Sequence, residues 1–493
     1  MPDNITFMTI PVGIRTGGVY VEIDHTKALR GLPQMERKLL VLGQRLPGGK
    51  TPAQTPVRIL NGDDAAQQFG RGSMLHAMAR ALDAVKARYG LIDVYAVALD
   101  DLAAGVAASG SIDLTGAVTK PGILTAWIGG VRVRAAASLG DSNAILAGKL
   151  AAAINDNADL PVSATAAAGK VTITCRHKGE VGNGMEVATA YYDEDALPEG
   201  ISAVCLDLAG GAGNPDLGAA LAAVVEDWYY SIVCPYTDSA ALAALEADMD
   251  GRWGGMNMKT GHVFTAKTGT HAQLTTWGAG RNSPHVSTWG LKGCPTWMPV
   301  MAAAFAGVCE FNGAIDPALP LRSLEVPGVL SPRLKDRFSR NERELLLRDG
   351  ISSTVVDSGG KVFLERVITN YQKSPFGIDD ESLLRLETKW TVDYYRYAVR
   401  TRIALRFPRH KLASDGINVA PGQNLVTPSV IRAELVALHR ELEFTGIVED
   451  TEQFKKDLLV VRSDSDVDRV NAVLPPNLVN QFNTFAAAVQ YRL

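Results

Sequence analysis

The chain closes on Phe485-Ala-Ala-Ala-Val-Gln-Tyr-Arg-Leu493, and this ending constrains the fold more than any other stretch. Phe485, Ala487, Val489, Tyr491 and Leu493 fall on one side of a period-2 alternation, with Gln490 and Arg492 on the other. That is the pattern of a half-buried β-strand running to the terminal carboxylate. Chain ends ordinarily fray into polar residues, so an apolar strand in this place needs a sheet to dock on. Near the start, Ile10, Val12 and Ile14 alternate with Pro11, Gly13 and Arg15, and proline inside the run suits an edge strand. Two such arms fit a subunit that adds strands to its neighbours by β-augmentation. The other reading is that both ends pair within their own chain.

A length of 493 residues is too great for one core, so several domains are expected. Hydrophobic content of 46% supplies well-filled cores, while a net charge of −4 argues against a general nucleic-acid binder. No apolar run reaches the length expected of a membrane span. Met-Pro-Asp-Asn-Ile-Thr at the start lacks the regions of a secretory signal. Cys175, Cys205, Cys234, Cys294 and Cys309 are odd in number and form no Cys-x-x-Cys pair, which indicates buried free thiols and a protein made in a reducing cytoplasm.

The pattern predicts a mixed α/β (α+β), multi-domain fold: an α/β core, an inserted β-rich outer domain and extended arms at both ends. An N-terminal arm (1–18) leads to an α/β segment (19–101), in which Val19, Val21 and Ile23 continue a strand. Lys38 to Leu42 and Asp93 to Leu99 read as strands, and Gly43 to Pro56 as a loop. A helix runs from Ser73, a good N-cap, to Gly90. Short strands around one alanine-rich helix, Ser142 to Asn155, make the inserted domain (102–200). The α/β pattern resumes over 201–325: a strand near Val204, a Gly-rich turn, a helix from Pro215 to Val225, the strand Tyr229 to Cys234. Gly278 to Trp297 reads as a connection without period. A C-terminal α/β core (326–475) holds a hairpin across Asp357–Gly360, a long helix through Trp390 and Ala398, and a helix opened by Thr427-Pro428 and closed by Gly446. The terminal arm is 476–493.

Searches for chemistry come out negative. Gly49-Lys50-Thr51 lacks the upstream glycine of a phosphate loop at the right spacing, and Pro52 and Pro56 block the helix such a loop needs. Gly211-Ala-Gly213 lacks the third glycine of a dinucleotide turn. Asp357-Ser358-Gly359-Gly360 resembles a serine nucleophile segment, so a hydrolase using Ser358 stays open as an alternative. No base accompanies it, however, and Ser-Gly-Gly between alternating strands is an ordinary hairpin turn. His262 and His271 read as solvated loop histidines. No catalytic set, cofactor site or metal site is expected.

Charge is distributed unevenly. Tyr191 to Asp250 holds twelve acidic residues and no lysine or arginine, whereas Ser331 to Lys411 holds seventeen basic against eleven acidic residues. Two solvated faces are one explanation. A head-to-tail contact is the other, with Glu226 and Asp227 of one copy against Arg396, Arg400, Arg402 and Arg406 of the next. Such contacts generate rings or open helices.

Ile10-Pro-Val-Gly-Ile-Arg15 with Gly18-Val-Tyr-Val-Glu-Ile-Asp24 resembles the start of the contractile tail sheath proteins of Mu-like bacteriophages. Gly70-Arg-Gly-Ser-Met74, Pro235-Tyr-Thr-Asp238, Ala420-Pro-Gly-Gln423 and Leu474-Pro-Pro-Asn-Leu478 match as well, in order and spacing. So do Thr391 through Arg409 and Ile431 to Gly446, and the likeness spans nearly the whole chain. It implies a homo-oligomeric helical tube of subunits around an inner tail tube protein, with arms linking neighbours into a mesh. It also implies baseplate and tail terminator partners, no direct nucleic acid, no membrane insertion and no cofactor. The location implied is the virion, after assembly in the bacterial host cytoplasm. A DNA-free tailocin or contractile injection particle is the sister possibility.

Overall fold

The computed structural model describes Thr16, Met35, residues 37–417 and residues 422–492. Ile10, Val12, Ile14, the expected strand at Val19 to Ile23, Ala420, Pro421 and Leu493 lie outside the described residues. Residues 37–389 form one compact unit, and Trp390 onward belongs to a second.

The first unit opens with β1 (Leu39–Gln44), β2 (Pro56–Ile59), α1 (Gly62–Phe69), α2 (Met74–Arg88) and β3 (Val94–Leu99). There follow β4 (Ala107–Gly116), β5 (Gly122–Ile128), β6 (Val131–Ala137), α3 (Asn143–Asp156), β7 (Val162–Ala167), β8 (Lys170–Lys178), β9 (Val187–Thr189) and β10 (Ile201–Ala209). Next come α4 (Gly218–Ala223), β11 (Ser231–Val233), α5 (Ser239–Trp253), β12 (His262–Thr268), α6 (His271–Ala279), β13 (Val286–Leu291) and α7 (Met298–Ile315). α8 (Arg340–Arg348), β14 (Ile351–Val356) and β15 (Val362–Arg366) complete the sheet, and α9 (Leu386–Arg406) leads out of the unit.

Eight of these strands make one sheet in the order β15-β14-β13-β12-β11-β1-β3-β2. The six inner strands are parallel, and β2 and β15 close the two edges antiparallel. β1 reads Leu-Leu-Val-Leu-Gly-Gln and is buried along its whole length, as a parallel strand covered on both faces must be. Ser73 caps α2 by accepting a bond from the His76 N–H, and Leu75, Met78, Leu82 and Val85 are all buried. α2 packs on α7, where the absent side chain of Gly307 matters: a Cβ there would stand 2.8 Å from Leu82 Cδ2. α7 is long and apolar enough to cross a membrane by composition, which the sequence reading did not anticipate. It is instead largely buried against α2 and strands β11 and β12. Phe264, Trp289 and Phe305 meet ring to ring between β12, β13 and α7. Leu274, Leu346 and Ile351 form a further cluster joining α6, α8 and β14.

β4 to β10 and α3 build the inserted module as two small antiparallel sheets, β10-β4-β8-β7 and β6-β5-β9. β10 pairs with β4 from Ile201↔Gly116 to Leu206↔Ser111, so the strand at Val204 completes the module and does not open the resumed core. The helix expected over Pro215–Val225 shrinks to α4, with Leu217 at its N-cap. The connection Gly278–Trp297 contains β13, which is buried and central in the sheet. Its Ser287 and Thr288 hide the pattern. Their hydroxyls donate to Ile368 O at 2.7 Å and Asn370 Oδ1 at 3.2 Å, partners visible only in three dimensions. The hairpin around Asp357–Gly360 forms as expected, but β14 pairs parallel with β13, so it extends the central sheet and starts no separate core.

The second unit contains β16 (Lys411–Leu412), β17 (Leu425–Val426), α10 (Pro428–Phe444), β18 (Val448–Glu449), α11 (Thr451–Asp457), β19 (Leu459–Arg462), β20 (Val470–Val473) and β21 (Asn477–Leu478). Leu435, Leu438 and Leu442 give α10 its buried stripe, and Gly446, at φ 77°, follows its end. Leu435, Phe454 and Leu458 form the unit's small core, with Val399, Ile403 and Val460 packed against it.

Candidate assembly surfaces

The second unit is where unfinished backbone collects. β19 and β20 pair with each other from Leu459↔Val473 to Arg462↔Val470, and among the described residues neither has another strand beside it. Val460 faces the helices, while its neighbours Leu459 and Val461 are exposed. β21 pairs with β18 through Val448↔Leu478, and Val479 N–H donates to Ile447 O at 3.2 Å. Beyond Gln481 the chain leaves the body. Phe485, Val489 and Tyr491 are 79%, 87% and 79% exposed, Ala487 is exposed too, and no strand is assigned there. Among the described residues, the alternation that looked like a half-buried strand has no sheet beside it.

The charged residues singled out in the sequence behave differently from one another. On α9 and α10, Arg402 donates to Glu434 at 3.0 Å and to Glu441, and Arg406 lies 3.4 Å from Glu434. Arg402 is therefore engaged within its own chain. Arg396 sits 3.7 Å from Asp393, one turn back on the same helix, and Arg400 is exposed. Glu226 is 95% exposed at 3.7 Å from Lys259, and Asp227 is also exposed. Three further acids of the stretch are paired with arginine at short range. Asp195 accepts from Trp127 Nε1 at 2.7 Å and from Arg132, Glu246 pairs with Arg281, and Asp248 takes Arg252 at 2.6 Å.

None of the enzyme-like strings assembles. Ser358 is exposed at the tip of the β14–β15 hairpin, whose Asp357 carboxylate accepts the Lys361 N–H at 2.8 Å. Around Gly49-Lys50-Thr51, the N–H groups of Leu46, Lys50 and Thr51 donate to the carbonyls of Phe69, Gln67 and Gln68 at the C-terminal end of α1. The loop's donors are consumed at a helix C-terminus, the wrong end for phosphate. His262 is no loop histidine: it begins β12 fully buried, 2.8 Å from Ser287 Oγ, and burial first, then Lys389, holds its pKa well below the usual value. His271 opens α6 and lies 3.2 Å from Glu342 O. Among the described residues no cluster of histidine, cysteine and acidic groups could hold a metal. Cys175, Cys234, Cys294 and Cys309 are buried and Cys205 half-buried. Burial pushes the Cys175 thiol up to about 11 and those of Cys234 and Cys294 up to about 12.

Sequence reasoning missed how the module is seated. Asp101, just past β3, accepts from Gln44 Nε2 at 2.7 Å and from the Lys178 N–H at 3.1 Å, and its carboxylate lies 3.4 Å from His177 Nδ1. His177 Nε2 in turn accepts the Met74 N–H at 2.9 Å, which fixes the tautomer. Burial works to raise the pKa of Asp101, but these bonds outweigh it and hold the carboxyl below its usual range. A second seat joins Glu186 of the module to Arg333 at 3.7 Å, with Arg333 over the Tyr191 ring and Tyr191 donating to Ser331 O at 3.0 Å. Burial, opposed by Arg333, raises the Glu186 pKa to about 7.

The chain belongs to the phage tail sheath protein family: residues 210–370 match the phage tail sheath protein central domain and residues 379–492 the phage tail sheath C-terminal domain. It is 41% identical over 490 residues to the Mu-like prophage FluMu tail sheath protein of Haemophilus influenzae, covering 99% of this chain and 100% of that one. The crystal structure of the sheath tail protein of Desulfitobacterium hafniense shares the fold, with a TM-score of 0.50 at 16% identity over 94% of this chain and 97% of that one. The helical sheath of the anti-feeding prophage in its contracted state is also similar, at a TM-score of 0.48 and 10% identity over 96% and 98% of the two chains. The protein is thus a non-enzymatic component of a phage tail, with the mixed α/β fold of sheath proteins.

Proposed function

We propose that the chain is the repeating subunit of a helical contractile sheath around an inner tail tube, and that its change from an extended to a contracted tube drives the tube through the host envelope for genome ejection. The observation that carries this reading is an apolar, alternating, exposed arm, Phe485 to Arg492, in the same unit as a hairpin with unpaired edges. Exposed apolar edges are an aggregation hazard unless a partner strand is intended. Here the partners are the arms of adjacent copies, the C-terminal one through Phe485, Ala487, Val489, Tyr491 and Leu493 and the N-terminal one through Ile10, Val12 and Ile14. Each ladder bond contributes about 0.5–1.5 kcal/mol net, and repetition through a lattice makes the mesh hard to dissociate. Backbone pairing is indifferent to how the bodies turn, so connectivity survives while the body-to-body contacts are exchanged.

The exposed Arg400 against Glu226 and Asp227 of an adjacent copy forms one such exchangeable contact, with Arg396 and the outer side of Arg406 beside it. The inserted module points away from the tube, and the baseplate and tail terminator bound the assembly in the virion, which is put together in the bacterial cytoplasm. Deleting Phe485–Leu493 leaves the melting of the subunit unchanged but abolishes tubes in negative-stain electron microscopy. Full-length tubes from the truncated chain would refute the role given to the arm.

A further inference from the structure

The chain enters the first unit at Arg37 and leaves it at Lys389, and at both crossings a buried cationic side chain is fixed at the amino ends of the parallel strands. Arg37, two residues before β1, donates through Nε and Nη2 to the Glu310 carboxylate of α7 at 2.9 and 3.1 Å. Its guanidinium lies 3.7 Å from the centre of the Tyr230 ring. Ser231, the first residue of β11, donates to the same Glu310 carboxylate. The side chains of Arg37 and Glu310 are 8% and 3% exposed. One carboxylate therefore ties the beginnings of two neighbouring strands to the helix behind them. The backbone repeats the tie, because Lys38 O accepts the N–H groups of Tyr230 at 3.0 Å and Ser231 at 3.3 Å.

At the exit, Lys389 is 1% exposed and donates through Nζ to Gly261 O at 2.9 Å, directly before β12. Glu387, also buried, accepts the Leu321 N–H at 2.8 Å. β11 lies between β1 and β12, and Tyr230 O at its start accepts the His262 N–H at 2.9 Å. Entry and exit are thus anchored two strand spacings apart, about 10 Å, at one end of the sheet.

A buried ion pair adds little stability, since desolvation offsets most of its attraction. Its use here follows from where the chain can be pulled. Tension through the two connections does not shear the parallel strands along their length. It opens them from one end, where ladder bonds fail one after another. A bidentate guanidinium–carboxylate pair has to break as a unit, and Arg37 gives up its ring contact as well.

We infer that Arg37, Glu310 and Lys389 form a mechanical clamp, which keeps β1, β11 and β12 from peeling apart when the first unit is loaded through its two chain connections. Only the source of the load, arms held by adjacent copies, rests on the sheath reading.

Force spectroscopy on the full chain in two geometries, with Cys205→Ser throughout, tests the clamp. Handles at the two termini load it. Handles on Thr55→Cys and Ser358→Cys, exposed near the carboxyl ends of β3 and β14, load the sheet from the other end. The event read is unfolding of residues 37–389 in the first geometry and of residues 55–358 in the second. Arg37→Lys keeps the charge and loses the two-bond fork. It raises the unfolding rate at constant force roughly tenfold or more in the terminal geometry and less than about twofold in the other. Lys389→Met acts in the same way at the exit, so either variant suffices if the other fails to fold. Equal acceleration in both geometries, or none in either, overturns the clamp. A clamped chain that never forms tubes overturns the sheath reading alone, and tubes from a chain without the geometry dependence leave that reading standing.

Discussion

The two units of this protein solve the same problem, an open sheet edge, in opposite ways. In the unit of residues 37–389 six parallel strands are enclosed, and antiparallel strands β2 and β15 finish both edges. β2 begins with Pro56 and is short, and β15 is only partly buried, as edge strands usually are. In the unit that begins at Trp390 every sheet has two strands among the described residues, the β19–β20 hairpin keeps Leu459, Val461 and Val473 in solvent, and the chain runs on as exposed backbone. Isolated two-stranded pieces are marginal by themselves. Within the acid-rich stretch of the first unit, Asp195, Asp248 and Glu246 pair with Arg132, Arg252 and Arg281, which lie outside it in sequence. The first unit closes both edges of its sheet, whereas the described strands of the second leave theirs open.

The contrast can be broken in four ways. The largest effect belongs to the enclosed core: Phe305→Ala, removing a fully buried ring between Phe264 and Trp289, costs about 3–5 kcal/mol, read from denaturant unfolding of the first unit. A loss as small as that of a surface change would mean the sheet is not the stable half. Next, Arg402→Ala leaves Glu434 and Glu441 without their shared cation and costs about 1–3 kcal/mol, seen as faster amide exchange in α9 and α10.

A smaller effect concerns the module's seat. Glu186 holds its proton up to about 7 in the folded protein against 4.5 ordinarily, so the folded state binds that proton more tightly than the unfolded chain does. The stabilisation is complete below the ordinary value and is lost as pH rises through the folded one. Wild type should therefore lose about 1–2 kcal/mol between those values, after allowance for solvent near the group, and Glu186→Gln should abolish that slope. The smallest change is Phe444→Ala on α10, 92% exposed, which shifts the melting of the isolated subunit by less than about 0.5 kcal/mol. A large loss there would show that the second unit is packed more completely than its exposed surface suggests.

Local signals were legible where one residue type has one structural use. Ser73 as a cap, Thr427-Pro428 as a helix start and Gly446 after a helix end were all readable, because capping and positive φ are nearest-neighbour physics. β13 and α6 were not legible. Val286-Ser-Thr-Trp-Gly-Leu lacks an apolar period, and partners across the fold, Ile368 O, His262, Asn370 and Thr354, make its polar atoms affordable to bury. His262 was misjudged for the same reason: its glycine- and threonine-rich surroundings look like loop, and burial comes from strands remote in sequence. The end of the module was placed too early because β10 answers to β4, about ninety residues before it, and not to its own flanks.

The sequence alone determined the mixed α/β character, the family and the alternation of the terminus, since these rest on composition, order and short-range period. Tertiary structure alone decided which strands share a sheet, that Asp195, Glu246 and Asp248 of the acidic segment meet arginines from outside it, and that Arg402 has partners at home. Strand order and ion pairing depend on distances between residues far apart in the chain, and a one-dimensional pattern carries no such distances.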